Sequence, residues 1–427
     1  MRRTEKLLAE LIALPSVNPA FAPPGGASAR QARLARFGEK NVADFLASLA
    51  ARAGLEVEFQ KVLPVDTERW GETPGEPAFA SGHHGSRGSA FAQLRRDRRS
   101  PRQKKEINYR SNLIARLLPR NKIRRTILLA PHLDTVDADD SQFAPRRKSG
   151  RLYGRGACDT KGSVAAMFTA LCELANANSR PAGTEIIFAG LIDEEHAQAG
   201  SRALAASRLK GDLAIVGEPT RLRMVTAHKG SLWFRLETRG RAAHGATPQF
   251  GQNAVHEMAR IVDALETGYA ARLRKRKHPL LGAATVNVGT ISGGVQANIV
   301  PDRCAITIDR RTLPGETEAG VCRELAAWLR AKRLSAKIFS AKAAPALPLE
   351  TDPGLPLARQ FLRSLGQSRP AGVDYFCDAA VLSRGGIPSV VFGPGDIAQA
   401  HTADEWISLA SLERGKNVLL KFLQSLP

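Results

Sequence analysis

Residues 126–136 read Thr-Ile-Leu-Leu-Ala-Pro-His-Leu-Asp-Thr-Val. The run Thr126–Ala130 is apolar without alternation, which predicts a strand covered on both faces rather than a half-exposed one. His132 and Asp134 follow at once, two apart, so on extended backbone they point the same way. In an open α/β sheet, functional groups gather beyond the carboxyl ends of the strands. A neutral imidazole can bind a metal through one nitrogen while a carboxylate orients the ring through the other.

Working outward, Thr184–Ile192, Asp212–Val216 and Ser389–Phe392 have the same texture, and Ser163–Ala175 between them is helix-like. Alternation of this kind predicts an α/β fold with a mostly parallel sheet. Each strand runs into polar residues. The first gives Asp193-Glu194-Glu195-His196, the second Gly217-Glu218-Pro219 and the third Gly393-Pro394-Gly395, which leads to His401-Thr402-Ala403-Asp404-Glu405. A further stretch, Gly154-Arg155-Gly156-Ala157-Cys158-Asp159-Thr160-Lys161-Gly162, opens the helix. Each segment also has a plainer reading. Asp159 or Thr160 can simply cap a helix, the acids at 193–195 can lie in a solvated loop, and His401 alone can be structural. Three adjacent acids at the end of a buried strand repel one another, and a cation resolves that repulsion. Together, two His and several carboxylates at strand ends predict a two-metal site, with imidazole and carboxylate donors suited to Zn, Co or Mn.

From Ser231 the pattern changes. Leu232, Phe234 and Leu236 alternate with Trp233, Arg235 and Glu237. A helix near Asn253–Leu265, strands near Ala284–Ile291 and Cys304–Arg310, a helix near Glu316–Ala331 and a strand near Ala336–Ser340 complete a β-α-β-β-α-β order. The expected organisation is a first catalytic part at 1–228, an inserted ferredoxin-like unit at 229–342 and a second catalytic part at 343–427. The basic stretch 66–110 fits neither.

The chain has 427 residues, 43% hydrophobic and 24% charged, enough for two cores, which excludes global disorder. Its formal charge of +21 raises nucleic acid as a partner. Arg95–Arg110 carries eight Lys/Arg against two Asp/Glu. The plain reading is a solvated loop, and the alternative is non-specific nucleic-acid contact through 95–110. Aromatics are only 6%, and no nucleic-acid-binding motif occurs. The apolar residues near the N-terminus, Leu7, Leu8, Leu11 and Ile12, fall at helical spacing interrupted by Glu5, Lys6 and Glu10, unlike a leader. No long apolar run suggests a membrane span. The five scattered cysteines suit a reducing cytoplasm rather than a disulfide scaffold.

The segments HLDTV, GRGACDTKG, DEE, GEPT and GPGDIAQAHTADEW resemble, in order and spacing, the zinc aminoacylase/carboxypeptidase-G metallopeptidase family. Gly393–Trp406 is most similar to its acetylornithine deacetylase members; succinyl-diaminopimelate desuccinylases and dipeptidases stay open. The resemblance implies a dinuclear-metal hydrolase domain with an inserted lid and dimerisation domain. It implies that His132 and Glu218 bind one metal, that His401 and Glu195 bind the other, and that Asp159 bridges them. Glu194 is then the general base, Asp134 the partner of His132, and His244 an oxyanion-stabilising residue reaching a neighbouring subunit. Asn298 and Arg311 would hold the substrate carboxylate, with Arg311 matching better than Arg310. The implied partners are a small N-acyl amino acid or dipeptide and a second copy of the chain. Water shared by two divalent ions loses a proton near neutrality.

Overall fold

In the computed structural model, residues 2–22, 36–63, 110–177, 180–342 and 344–427 are described. The basic residues 95–109 lie outside them. Arg110 does not belong to a solvated loop. It begins a strand, because its side chain finds two carboxylates, Glu39 and Asp193, on the protein.

The large sheet is built from β1 (Glu56–Val62), β2 (Arg110–Leu117), β3 (Arg125–Pro131), β4 (Thr184–Gly190), β5 (Leu213–Gly217) and β6 (Val225–His228). The chain then leaves for β7 (Gly230–Arg239), β8 (Thr285–Gly293), β9 (Arg303–Thr312) and β10 (Lys337–Ser340). It returns as β11 (Leu349–Glu350), β12 (Ala371–Val373) and β13 (Ser389–Val391). The order across the large sheet is β1-β2-β4-β3-β5-β13-β6-β11, with β12 also on β6. The central four strands, β4, β3, β5 and β13, are parallel. Toward both edges pairing turns antiparallel. The sequence explains the difference: β1 reads EVEFQKV, half polar, which suits a sheet margin with one face in water.

Side chains of the central strands alternate between two cores. Ile127, Leu129, Phe188 and Ile215 face helices α1 (Arg3–Ile12), α3 (Lys161–Ala175) and α10 (Leu409–Gln424). Leu128, Ala130, Ile187 and Val216 face the other layer, with Leu204 and Leu382. Here α2 (Lys40–Arg52) precedes β1, α4 (Ala199–Ala205) follows β4, α8 (Pro356–Ser364) precedes β12, and α9 (Ala379–Arg384) precedes β13.

The second sheet has the order β8-β9-β7-β10, all antiparallel. Leu232, Phe234 and Leu236 pack under α5 (Ala254–Ala264) and α7 (Glu318–Ala331) in a separate core, while Trp233 is exposed. Asn253 accepts hydrogen bonds from Val255 N and His256 N, and Thr317 accepts one from Gly320 N, so both helices begin on capping side chains. Between them, α6 (Ala270–Leu273) continues α5 after a wider turn.

His228 sits where β6 passes into β7 and is wholly buried. Its Nδ1 faces Lys229 O at 2.9 Å, so that nitrogen is the donor, and Nε2 has no hydrogen-bond partner among the described residues. Burial lowers its pKa to about 4. Above about pH 6.5 the ring is neutral in both folded and unfolded states. Below that, the unfolded chain takes up a proton that the folded chain refuses, so stability drops as pH falls toward 4, by about 3 kcal/mol. Equilibrium denaturation from pH 7 to 4.5 checks this: His228→Gln should flatten the decline, and an unchanged slope would contradict it.

Candidate active site

The four central strands end at one edge of the sheet, and their following residues converge there. His132 comes one residue after β3, Glu218 one after β5, and Glu194 and Glu195 follow β4. His401 arrives on the loop after β13. Asp159 sits two residues before α3, where a helix N-terminus favours negative charge.

His132, 2% exposed, directs Nε2 at Asp159 Oδ1, 3.1 Å away, with Glu218 Oε1 at 3.9 Å. His401 directs its Nε2 at Asp159 Oδ2 (3.4 Å) and Glu195 Oε1 (3.2 Å). Asp159 therefore turns one oxygen to each imidazole. Ligand atoms of His132, Asp159 and Glu195 lie within 4.8 Å of one another. The pairs expected from the sequence, His132 with Glu218 and His401 with Glu195, stand on the two sides of Asp159.

The electrostatics follow from burial. Desolvation pushes Glu194 and Glu218 well above the ordinary carboxyl range and His132 pulls both back, while Glu218 raises Glu194 further and Asp159 raises Glu218. Glu195 is raised by burial and by Asp159. Burial likewise lifts nearby Asp378 to about 7, against a hydrogen bond from Ser201. Asp159 stays below the usual range because hydrogen bonds from both imidazoles outweigh its burial. The imidazoles supply the compensating positive charge. Hydrogen bonds to Asp159 and Glu195 raise His401 to about 10, and carboxylate contacts raise His132 despite its burial. A cation on the same nitrogens balances these acids with neutral rings.

Asp134, expected as the partner of His132, does more. It is fully buried, and His132 Nδ1 lies 3.0 Å from its backbone oxygen and 3.4 Å from Oδ1. Its carboxylate accepts the backbone N–H of Glu194 and of Glu195, each at 3.1 Å. One carboxylate thus fixes the backbone of both Glu194 and Glu195.

Several contributors were not singled out from sequence. Asn18 donates from Nδ2 to Asp134 Oδ2 (2.7 Å) and Asp193 Oδ1 (3.1 Å). Arg110 reaches Asp193 Oδ1 (2.8 Å) and clamps Glu39 through Nε and Nη2. Glu405 accepts backbone N–H groups of Gly156, Cys158 and Asp159, plus the Arg155 guanidinium, and so shapes the loop that presents Asp159. In that loop Gly156 has φ +81°, and a Cβ there would meet Lys161 Cδ at 2.9 Å. Buried Lys161 caps the C-terminal carbonyls of α1, donating to Leu11 O and Leu14 O. An acid inside a motif block, as Glu405 is, was a usable signal; an isolated Asn18 gave none.

His244 and Asn298 lie apart from this cluster. Both are exposed on the second sheet's loops, where Gly245 N donates to Asn298 O at 2.7 Å. His244 Nδ1 accepts from Ala246 N. Among the described residues no hydrogen bond or ion pair ties either to the cluster. The two arginines separate clearly. Arg310 is wholly buried and spent on Glu316, whereas Arg311 faces the large-sheet unit, with Nη1 3.5 Å from Asp374 O.

With the geometry in hand, comparison with known proteins is direct. The model of Peptidase family M20/M25/M40 matches residues 128–425. The chain belongs to this family. Family membership makes it a hydrolase of amide bonds, and its His/Asp/Glu cluster is compatible with a metal site. The acetylornithine deacetylase of Myxococcus xanthus is 32% identical over 312 residues, covering 70% of this chain and 79% of its own. That of Proteus mirabilis is 31% identical over 314 residues, with 70% and 79% covered. Among solved structures, aminopeptidase PepT from Bacillus cereus has a TM-score of 0.69 at 21% identity, covering 99% of this chain and 97% of that one. A dinuclear metal binding peptidase of the M20 family from Bacillus subtilis has a TM-score of 0.63 at 13% identity, covering 99% and 97%. These structures share the fold. No helix among the described residues is long and apolar enough to cross a membrane.

Asn18→Ala removes the donor shared by Asp134 and Asp193. Turnover or metal affinity should drop roughly 10–100-fold, as for other changes one step behind a ligand. Metal content after dialysis, together with initial rates, checks this; both at wild-type level would remove Asn18 from the account.

Proposed function

We propose that the protein hydrolyses the amide of a small N-acyl amino acid, the reaction class of relatives named acetylornithine deacetylase, with two divalent metal ions, zinc by our reading. The single observation that supports this best is Asp159 set between His132 and His401 with one oxygen toward each. The residues fit metal ions. Glu218 Oε1 is buried with no hydrogen-bond partner among the described residues, and the donors are imidazole and carboxylate without thiolate. His132, Glu218 and Asp159 would hold one ion, and His401, Glu195 and Asp159 the other. When bound, such ions polarise the scissile carbonyl and lower the pKa of water.

The chain's own groups supply the proton chemistry. Glu194 takes a proton from the attacking water onto its carboxylate and returns it to the leaving amine nitrogen. Its raised pKa suits a base that must also act as an acid near neutrality. Asp134 keeps Glu194 in register through the backbone N–H. The unit at 229–342 acts as a lid and dimer contact. In support, the edge strand β8 and its following loop expose Ile291 (58%) and Val295 (94%). In such a dimer His244 and Asn298 serve the neighbouring subunit's site, and Arg311 the substrate carboxylate of its own. The described cysteines are unpaired and mostly buried, which supports a reducing, cytoplasmic setting.

Glu194→Gln should lower kcat roughly 10²–10⁴-fold while metal content stays near wild type. Glu195→Gln should lose about half the bound metal. Rates on N-acetylornithine, N-succinyl amino acids and dipeptides, with elemental analysis, test both; equal metal loss in the two variants contradicts the separate roles. Mixing His244→Ala subunits with Glu194→Gln subunits should restore activity in hybrid dimers. Hybrids no better than either parent would remove the shared-site claim.

A further inference from the structure

Where the second sheet meets the large-sheet unit, two cations share one aromatic ring. The guanidinium carbon of Arg311 lies 5.8 Å from the Phe376 centroid, and Lys342 Nζ lies 4.9 Å from it. Lys342 Nζ is also 5.4 Å from the Trp233 ring. The two positive groups are nevertheless differently provided for. Arg311 Nε is paired with Asp309 Oδ2 at 2.9 Å. Neighbouring Lys229 is neutralised by Asp374 Oδ1 at 2.8 Å. Lys342 has no carboxylate within ion-pair reach among the described residues. A half-buried ammonium held by ring faces alone keeps its charge available to a ligand.

This pair is anchored to the cluster from two directions. Tyr375, next to Phe376, donates its hydroxyl to Pro219 O at 3.3 Å, beside Glu218. Arg202 donates from Nη2 to Pro345 O (3.2 Å), three residues after Lys342, and from Nε to Ala197 O (3.1 Å), two residues after Glu195. Lys342 therefore belongs to the rim of the same site. Glu194 and Arg311 are both among the charges it senses, Glu194 favouring and Arg311 opposing its protonated form, while burial lowers its pKa.

We infer that Lys342 is a specificity-determining residue which, with Arg311 on the α-carboxylate, selects substrates bearing a second carboxylate: N-acyl derivatives of acidic amino acids rather than of cationic ones. The inference rests on the amidohydrolase reading above. One carboxylate needs one cationic fork. A second cation against the same Phe376 ring matches a second anionic group, and it repels an ammonium side chain by like charge.

The test compares kcat/KM of the full-length, zinc-loaded protein on N-acetylglutamate, on N-acetylnorvaline as the neutral reference, and on N-acetylornithine. The wild type should prefer them in that order. Lys342→Met should lower the glutamate derivative's kcat/KM about tenfold or more, mainly through KM, change the norvaline derivative less than about threefold, and relieve the ornithine derivative. Lys342→Arg should keep the preference. Equal losses on all three in Lys342→Met, or no preference for the acidic substrate in the wild type, overturns the inference and leaves the amidohydrolase reading intact. Hydrolysis of none of a wider acyl amino acid and dipeptide panel by metal-loaded protein overturns that reading and this inference together.

Discussion

The structure turns on keeping several carboxylates close together and away from water. Asp159, Glu194, Glu195, Glu218 and Asp378 gather beyond the carboxyl ends of the central parallel strands, with the imidazoles of His132 and His401 among them. Isolated buried carboxylates are costly and neutralise unless paired. The raised titration of Glu194 and Glu218 expresses that cost. The Asp159 carboxylate, turned to both imidazoles, is what lets the cluster hold charge. The surrounding scaffold serves that arrangement. The strands bring these side chains together, Glu405 shapes the Asp159 loop, and Asp134 ties down the amides of Glu194 and Glu195.

Much of this could be read from sequence, for definite reasons. The central strands are continuous apolar runs because both their faces are covered, and the segments that follow them carry His132, Glu194, Glu195, Glu218 and His401. The second sheet declared itself through the alternation of Leu232, Phe234 and Leu236 with Trp233, Arg235 and Glu237, one face on a core and one in solvent. What escaped depended on long-range pairing. Asn18 lies 116 residues from Asp134 in sequence, and Arg110 lies 71 from Glu39. Neither spacing leaves a local pattern. Arg110 was misplaced with the basic stretch before it because charge counting cannot see the carboxylates that receive it. The antiparallel sheet margins were hidden by the strong signal of the central strands.

The net charge of +21 has a different bearing from the one it first suggests. The candidate site itself is acidic, and the positive groups of Arg311 and Lys342 lie together against Phe376 where the two sheets meet. Under the proposed function, positive groups beside an acidic floor separate two tasks: holding cations below and drawing in the anionic end of a substrate above. Arg310 and Arg311 show how fine the division is. Adjacent in sequence, they point to opposite faces of β9, one locked inside on Glu316 and the other turned to the junction.

The central claim is that Asp159 joins two cation sites. Metal stoichiometry by calorimetric titration of the dialysed protein with zinc, compared with Asp159→Asn, tests it most directly. The account predicts two ions per chain in the wild type and weakened binding at both sites in the variant. A single ion per chain, or two ions bound unchanged after Asp159→Asn, would contradict it.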